Sequence, residues 1–176
     1  MCVLAHPDDE SLGMGGALAK CAAEGVQTYL VTATRGEYGW FGDEEDNPGP
    51  EALGKIREGE LRRAADVLGI QEVSLLDYVD GYLDQADPDE IIGEIVSHIR
   101  HIRPDVIITF DHYGSYGHPD HIAICQFTTA AVFQSAAASY GNIDLYPDAI
   151  ISNDIILKRR LDENEYLHSA SAQSIV

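Results

Sequence analysis

Cysteine is scarce in this sequence, and the few present form no pattern. Among 176 residues there are three, Cys2, Cys21 and Cys125, with no CxxC pair or other zinc-finger spacing. An odd, widely spaced set excludes a disulfide framework and fits free thiols in a reducing compartment. Basic residues are scarce as well: 11 Lys and Arg stand against 30 Asp and Glu, leaving a formal net charge of −19. Such a surface repels phosphate backbones and anionic bilayers, so neither nucleic acid nor a membrane is expected as a partner. No apolar run approaches the roughly 18–20 residues of a membrane span. No basic stretch followed by an apolar one opens the chain, so no secretory leader is expected. What remains is 45% hydrophobic and 23% charged, near the globular average. The length suits one domain over residues 1–176 with its own core. A cytoplasmic protein is expected. The charge opposes loose association at low salt but leaves a homo-oligomer open.

The organisation follows from periodicity. Met1–Ala5 is a short apolar run that must stop at His6-Pro7, because proline cannot donate to a ladder. Leu12, Leu18, Ala19 and Ala22 recur at helical spacing between Glu10 and Glu24. Val26–Ala33 reads as a second strand, Glu72–Leu76 as a third and Asp105–Phe110 as a fourth. Helices are predicted over Lys55–Leu68, from Asp87-Pro88 with Ile91, Ile92, Ile95, Val96 and Ile99 inward, and over Ile122–Ala138. Asp148–Ser152 reads as a strand and Asp154–His168 as a charged helix. Alternating strands and helices predict an α/β, three-layer Rossmann-like fold: a mainly parallel sheet flanked by helices.

Two segments carry chemistry, and each follows a predicted strand: Ala5-His6-Pro7-Asp8-Asp9-Glu10 and Tyr116-Gly117-His118-Pro119-Asp120-His121. In open parallel sheets ligands bind outside the carboxyl ends of the strands, where strand order reverses, so both segments are expected at one crevice. Imidazole with carboxylate is a zinc donor set that leaves a position open for water, and it serves iron(II) equally. Asp8 and Asp9 are adjacent and point differently, so one can bind metal while the other faces the water. His118 is placed to donate a proton, with Asp120 holding its ring, and Tyr116 to meet a developing oxyanion. Gly13, Gly15 and Gly16 do not complete a dinucleotide-binding loop, since the third glycine is missing.

The pair AHPDDE and GHPDH resembles the LmbE-like, or PIG-L, zinc-dependent N-acetylglucosamine deacetylases, over roughly residues 1–140. The resemblance implies a Rossmann-like sheet and hydrolysis of an acetamide on an amino sugar or its conjugate, a small-molecule substrate. It implies one zinc per chain on His6, Asp9 and His121, with Fe2+ as another candidate metal. It makes Asp8 the general base, His118 (oriented by Asp120) an acid or electrostatic stabiliser, and Tyr116 an oxyanion partner. Looser matches put Glu37, Arg57 and Asp80 near the substrate. Family members run longer, and the stretch after Tyr140 departs from their pattern.

The loop Arg35–Leu53 follows the second strand and so lies on the active-site side, where Trp40 and Phe41 are candidates to cap a sugar. Two other readings use the same residues. One is a metal-dependent amidase acting on a thiol-sugar conjugate. The other is a non-catalytic metal- or sugar-binding protein, against which Asp8 stands, since pure binding needs no spare base.

Overall fold

The computed structural model describes residues 1–136 and two short strands at 149–151 and 156–158. Three parallel strands form the sheet: β1 (Cys2–Leu4), β2 (Thr28–Thr34) and β3 (Ile70–Tyr78), with β1 at one side and β2 between. The predicted fourth strand lies on the free side of β1 but forms only one parallel bridge, Cys2 to Ile108. Val3 N–H donates to Ile108 O and Ile108 N–H to Met1 O, both at 2.9 Å.

β1 is buried on both faces and β2 nearly so, whereas β3 carries exposed Gln71, Glu72 and Asp77; the period of two sends alternate residues to opposite layers. Val3, Ala5, Val31 and Ala33 pack under α4 (Pro88–Ile102) and α6 (Pro119–Ser135), against Ile91, Ile95, Ile99, Ile124 and Val132. Cys2, Leu4 and Leu30 face the other way, against Leu18 of α2 (Gly15–Ala23) and Leu61 and Ala65 of α3 (Pro50–Leu68). The result is the expected α/β/α sandwich. Each fully buried Ile or Leu contributes about 1.5–3 kcal/mol.

The helix ends follow local rules. Asp87 caps α4 by accepting from the Asp89 and Glu90 N–H groups, with Pro88 in the first turn. Pro50 starts α3 five residues ahead of the predicted Lys55, because proline's fixed φ suits a first helical position. The single helix expected over Glu10–Glu24 is broken. A short α1 (Asp9–Leu12) ends at Gly13, and α2 begins at Gly15. The Gly13-Met14-Gly15-Gly16 run has too little helix propensity to carry the first turn through. α6 starts at Pro119, three residues before the expected Ile122.

In the C-terminal part, Ala149–Ile151 (β4) falls within the predicted Asp148–Ser152 strand. Ile156–Lys158 (β5) pairs antiparallel with it, Ile151 opposite Ile156. That corrects the charged helix expected over Asp154–His168, because Ile155-Ile156-Leu157 is β-prone and follows turn-forming Asn153-Asp154. The rest of that expected helix lies outside the described residues. No helix among the described residues is long and apolar enough to cross a membrane.

Candidate metal centre

The sheet delivers its chemistry to one end. β1 runs straight into His6, β2 leads to Glu37, β3 to Asp80, and the segment through Ile108 to a one-turn α5 (Gly114–Gly117) followed by His118, Asp120 and His121. All lie beyond the carboxyl ends of the strands, as the topology requires.

The two buried imidazoles are held by their outer nitrogens. His6 Nε2 lies 3.0 Å from Asp120 Oδ2 and 3.2 Å from Asp80 Oδ1. Two carboxylates on one nitrogen assign the N–H there and leave Nδ1 as the ligating atom. His121 Nδ1 lies 3.3 Å from the Gly114 carbonyl oxygen, which assigns its N–H to that side and frees Nε2. The freed atoms face each other at 3.2 Å. Asp9 completes the set, 3.7 Å from His6 Nδ1 and 3.5 Å from His121 Nε2. Its Oδ2 is fixed by the His6 and Ala5 N–H groups, at 2.8 and 3.2 Å. The two nitrogens lie 3.2 Å apart, one Asp9 oxygen lies beside the first and the other beside the second, and each side chain is backed by a carboxylate, carbonyl or amide, a donor set that suits a divalent cation.

The electrostatics agree. Burial works against charge on His6, but its hydrogen bonds to Asp120 and Asp80 and the nearby charge of Asp9 outweigh it and push the imidazole up to about 9. Burial, then the charges of His6 and His118, pushes His121 down to about 4. Burial lifts Asp9 to about 6. The centre therefore favours one positive charge among the acids.

Two other groupings share His6. Nitrogens of His6, His118 and His121 lie within 4.8 Å of one another, as do donor atoms of His6, Asp80 and Asp120. In the second, His6 presents the nitrogen that already carries a proton, so Asp80 and Asp120 support the ring. In the first, His118 Nδ1 is already occupied, accepting from the Asp120 N–H at 3.2 Å. His6, Asp9 and His121 differ from both groupings in adding a negatively charged donor to two imidazoles.

The centre opens into a small cavity of about 140 Å³. Asp8, Tyr116 and His118 stand on its wall beside the three donors. Asp8 has a strained backbone, φ 128 and ψ −28, of a kind that functional sites retain. Its carboxylate pairs with Arg57 Nη2 at 2.7 Å. Tyr116 is largely exposed, its ring edge-on to His118 and His121.

Four expectations are corrected in detail. The Asp120 carboxylate does not orient His118. Fully buried, it accepts from His6 and from the Gly81 and Leu83 N–H groups, because the start of α6 turns it inward toward the loop after β3. Arg57 lines the cavity but commits its guanidinium to Asp8, the Pro7 carbonyl and the Gly36 carbonyl. Glu37 lies behind the wall, where its Oε1 accepts from the Asp80 N–H at 3.0 Å. Asp80 is on the wall, buried between His6 and the Tyr38 N–H. Trp40 lines the adjoining cavity of about 430 Å³, with Asp8, Phe41 and Arg57, and its indole N–H donates to Asp43 O at 3.0 Å. Phe41 lines both cavities, its ring 6.0 Å from the Arg57 guanidinium.

Sequence reasoning placed Phe41 on this side, and missed Glu10 and two glycines. A Cβ on Gly36 (φ 63) would sit 2.6 Å from Arg57 Nη1, and one on Gly39 2.4 Å from it, so only glycine leaves room for the guanidinium. The signal was present as the spacing of Gly36 and Gly39 around Glu37, but nothing local said which side chain fills the gap.

Comparison with known proteins points the same way. The profile of the PIG-L family, GlcNAc-PI de-N-acetylase, matches residues 1–132. The 1D-myo-inositol 2-acetamido-2-deoxy-alpha-D-glucopyranoside deacetylase of Kineococcus radiotolerans is 36% identical over 160 residues, covering 76% of this chain and 44% of that protein. The chain spans about half the length of the curated relatives it matches. Among solved structures, the N,N'-diacetylchitobiose deacetylase of Pyrococcus horikoshii superposes with a TM-score of 0.71 at 28% identity, over 80% of this chain and 51% of that one. The 4-carboxy-2-hydroxymuconate hydratase GalB of Pseudomonas putida superposes with a TM-score of 0.69 at 25% identity, over 79% and 57%.

Proposed function

This chain belongs to the PIG-L family, and from that premise we propose that it removes the acetyl group from an N-acetylglucosamine-type amino sugar or a conjugate of one. The observation that carries the proposal is the division of labour at the cavity. Two imidazoles and the Asp9 carboxylate converge, and a separate carboxylate, Asp8, stands outside them on the same wall. A binding protein has no use for that extra carboxylate.

His6, Asp9 and His121 would hold one zinc ion per chain. When bound there, the cation supplies a Lewis acid that polarises an amide carbonyl and acidifies water. Asp8 takes the proton from the water that attacks the carbonyl carbon. Tyr116 donates a hydrogen bond to the oxygen that gains charge. His118, whose Nδ1 accepts from the Asp120 N–H, carries its proton on Nε2 and donates a hydrogen bond there to the charge that develops, while the proton that Asp8 received from water passes to the departing nitrogen. The C–N bond breaks, and acetate and the free amine leave. Asp80 and Asp120 keep His6 in one tautomer throughout. Arg57 keeps Asp8 aimed. The absence of a qualifying membrane helix among the described residues and three free cysteines support a cytoplasmic setting.

Elemental analysis followed by an acetate assay tests this reading. About one zinc per chain and one acetate per amine released from an N-acetylglucosamine conjugate are expected. Iron in place of zinc would retain the donors and replace the metal in the proposal. A metal-loaded protein that yields amine without acetate would move the reading to another amidase. One inert to every amide but active in adding water to a carbon–carbon double bond would overturn hydrolysis altogether.

A further inference from the structure

Glu10 is among the most buried side chains of the molecule, 1% exposed; it is neither a candidate metal donor nor on the wall of the metal cavity, and it borders the adjoining cavity of about 430 Å³ beside Asp8. An acid so placed requires partners. Its Oε2 accepts from the Asp8 N–H at 2.9 Å, and its Oε1 takes the Ser11 hydroxyl. The Asp8 carbonyl accepts from the Ser11 and Leu12 N–H groups at 2.9 and 2.8 Å. Asp8 is thus pinned on both sides of its Cα, and between the pins it holds φ 128. For an L-residue that backbone persists only where its surroundings over-determine it. It is also what separates the neighbours: Asp9 turns to the two imidazoles, while Asp8 turns to Arg57 and the cavity.

We infer that Glu10 is a positioning residue for the Asp8 carboxylate, acting through the backbone of Asp8 and not through the metal. The inference rests on the reading of Asp8 as the base. Without the Glu10 carboxylate the Asp8 N–H is left without an acceptor. Relaxation to negative φ then swings Cβ and the carboxylate off the water they serve. Glutamine can replace the acid, since its amide oxygen accepts from Asp8 N–H and its amide nitrogen donates to the Ser11 hydroxyl.

The test is a double-mutant cycle on zinc-loaded protein, with acetate release from N-acetylglucosamine as the probe, joined to a crystal structure of Glu10→Ala. Glu10→Ala is expected to lower kcat about tenfold to a hundredfold, the scale of a small misplacement of a reacting group, with KM and zinc content unchanged. Glu10→Gln restores most of kcat. In an Asp8→Ala background, itself slowed about 10²–10⁴-fold, Glu10→Ala adds no further loss. The structure shows Asp8 at negative φ. Full additivity in the cycle, Gln as damaging as Ala, or Asp8 still near φ 128 in Glu10→Ala would each overturn the inference. A different result, Asp8→Ala at full kcat, would instead remove Asp8 as base. Should Glu10→Ala not fold, Glu10→Asp takes its place: its shorter arm withdraws from Asp8 N–H and is expected to lower kcat with zinc retained, and unchanged kcat would refute the positioning role.

Discussion

The floor and the mouth of the cavity are built on opposite plans. On the floor, His6, Asp120 and His121 are buried and Asp9 is half-buried, and their polar atoms are held by side chains, amides and a carbonyl. Asp120 on α6 reaches the imidazole that follows β1 and two amides after β3, so three chain segments share one carboxylate. At the mouth, Phe41 is 88% and Tyr116 70% exposed. The loop between β2 and α3 is acidic and mostly exposed, with Asp43, Glu44, Glu45 and Asp46 in a row. Dense cross-linking fixes geometry to the fraction of an ångström that metal binding and proton transfer need. Sparse cross-linking leaves a surface whose side chains are free to suit a particular sugar conjugate. The division teaches that reaction type is written on the floor and substrate choice at the mouth.

The largest effect should come from the floor itself. His121→Ala removes a donor and the only ring held by Gly114 among the described contacts. The expected outcome is loss of zinc on dialysis and loss of acetate release together, read by elemental analysis beside the assay. Retained zinc with normal turnover would break the comparison, because a floor residue would then behave like a mouth residue.

Asp120→Asn comes next and separates two accounts of the same side chain. If its carboxylate serves His6, the variant loses about 10–100-fold in zinc affinity, the usual cost of removing the acceptor that holds a ligating imidazole. Saturating zinc then recovers much of kcat. If it served His118, as the sequence resemblance implies, zinc affinity would stay constant while kcat fell. A zinc titration with kcat measured at each point decides between them.

That ambiguity shows how far the sequence could be read. That the candidate donors His6, Asp9 and His121 would meet was legible because strand ends, histidine spacing and sheet topology all point to one crevice. The layer faces were legible too, from alternation in β1 and β2 and from the Ile91–Ile95–Ile99 stripe. What stayed hidden was non-local. His118 and Asp120 are two apart, so the sequence pairs them, yet the start of α6 turns the carboxylate toward β3's loop. Asp105–Phe110 has strand composition, yet it forms only one bridge to β1. Glu10 looks like an ordinary acid in a first helical turn until its burial under Asp8 is seen.

Arg57→Lys tests the border between the two regions. The guanidinium joins the Asp8 carboxylate to the Pro7 and Gly36 carbonyls, and one ammonium cannot span all three. A fall in kcat of about tenfold is expected, on the scale of a small misplacement of a reacting group, with zinc content unchanged. A rise in KM alone would return Arg57 to the substrate-facing role that the family resemblance implies.

The smallest effects, and the sharpest for the mouth, come from its two adjacent aromatics. Phe41 stands on the cavity wall over Arg57, whereas Trp40 is tied back to Asp43 O. A flat aromatic face at the cavity gives uniform binding to a sugar ring, and loss of uniform binding raises KM and leaves kcat alone. Phe41→Ala is therefore expected to raise KM about threefold to tenfold, since each lost apolar contact is worth about 1 kcal/mol. Trp40→Ala should change KM by less than about twofold, because it only loosens the loop that carries Phe41. The order of the two matters more than either size. Should Trp40→Ala raise KM further than Phe41→Ala, the loop must close over the substrate in a conformation that brings the indole in. The mouth would then be a moving part, and its sparse bonding would serve closure and not only substrate choice.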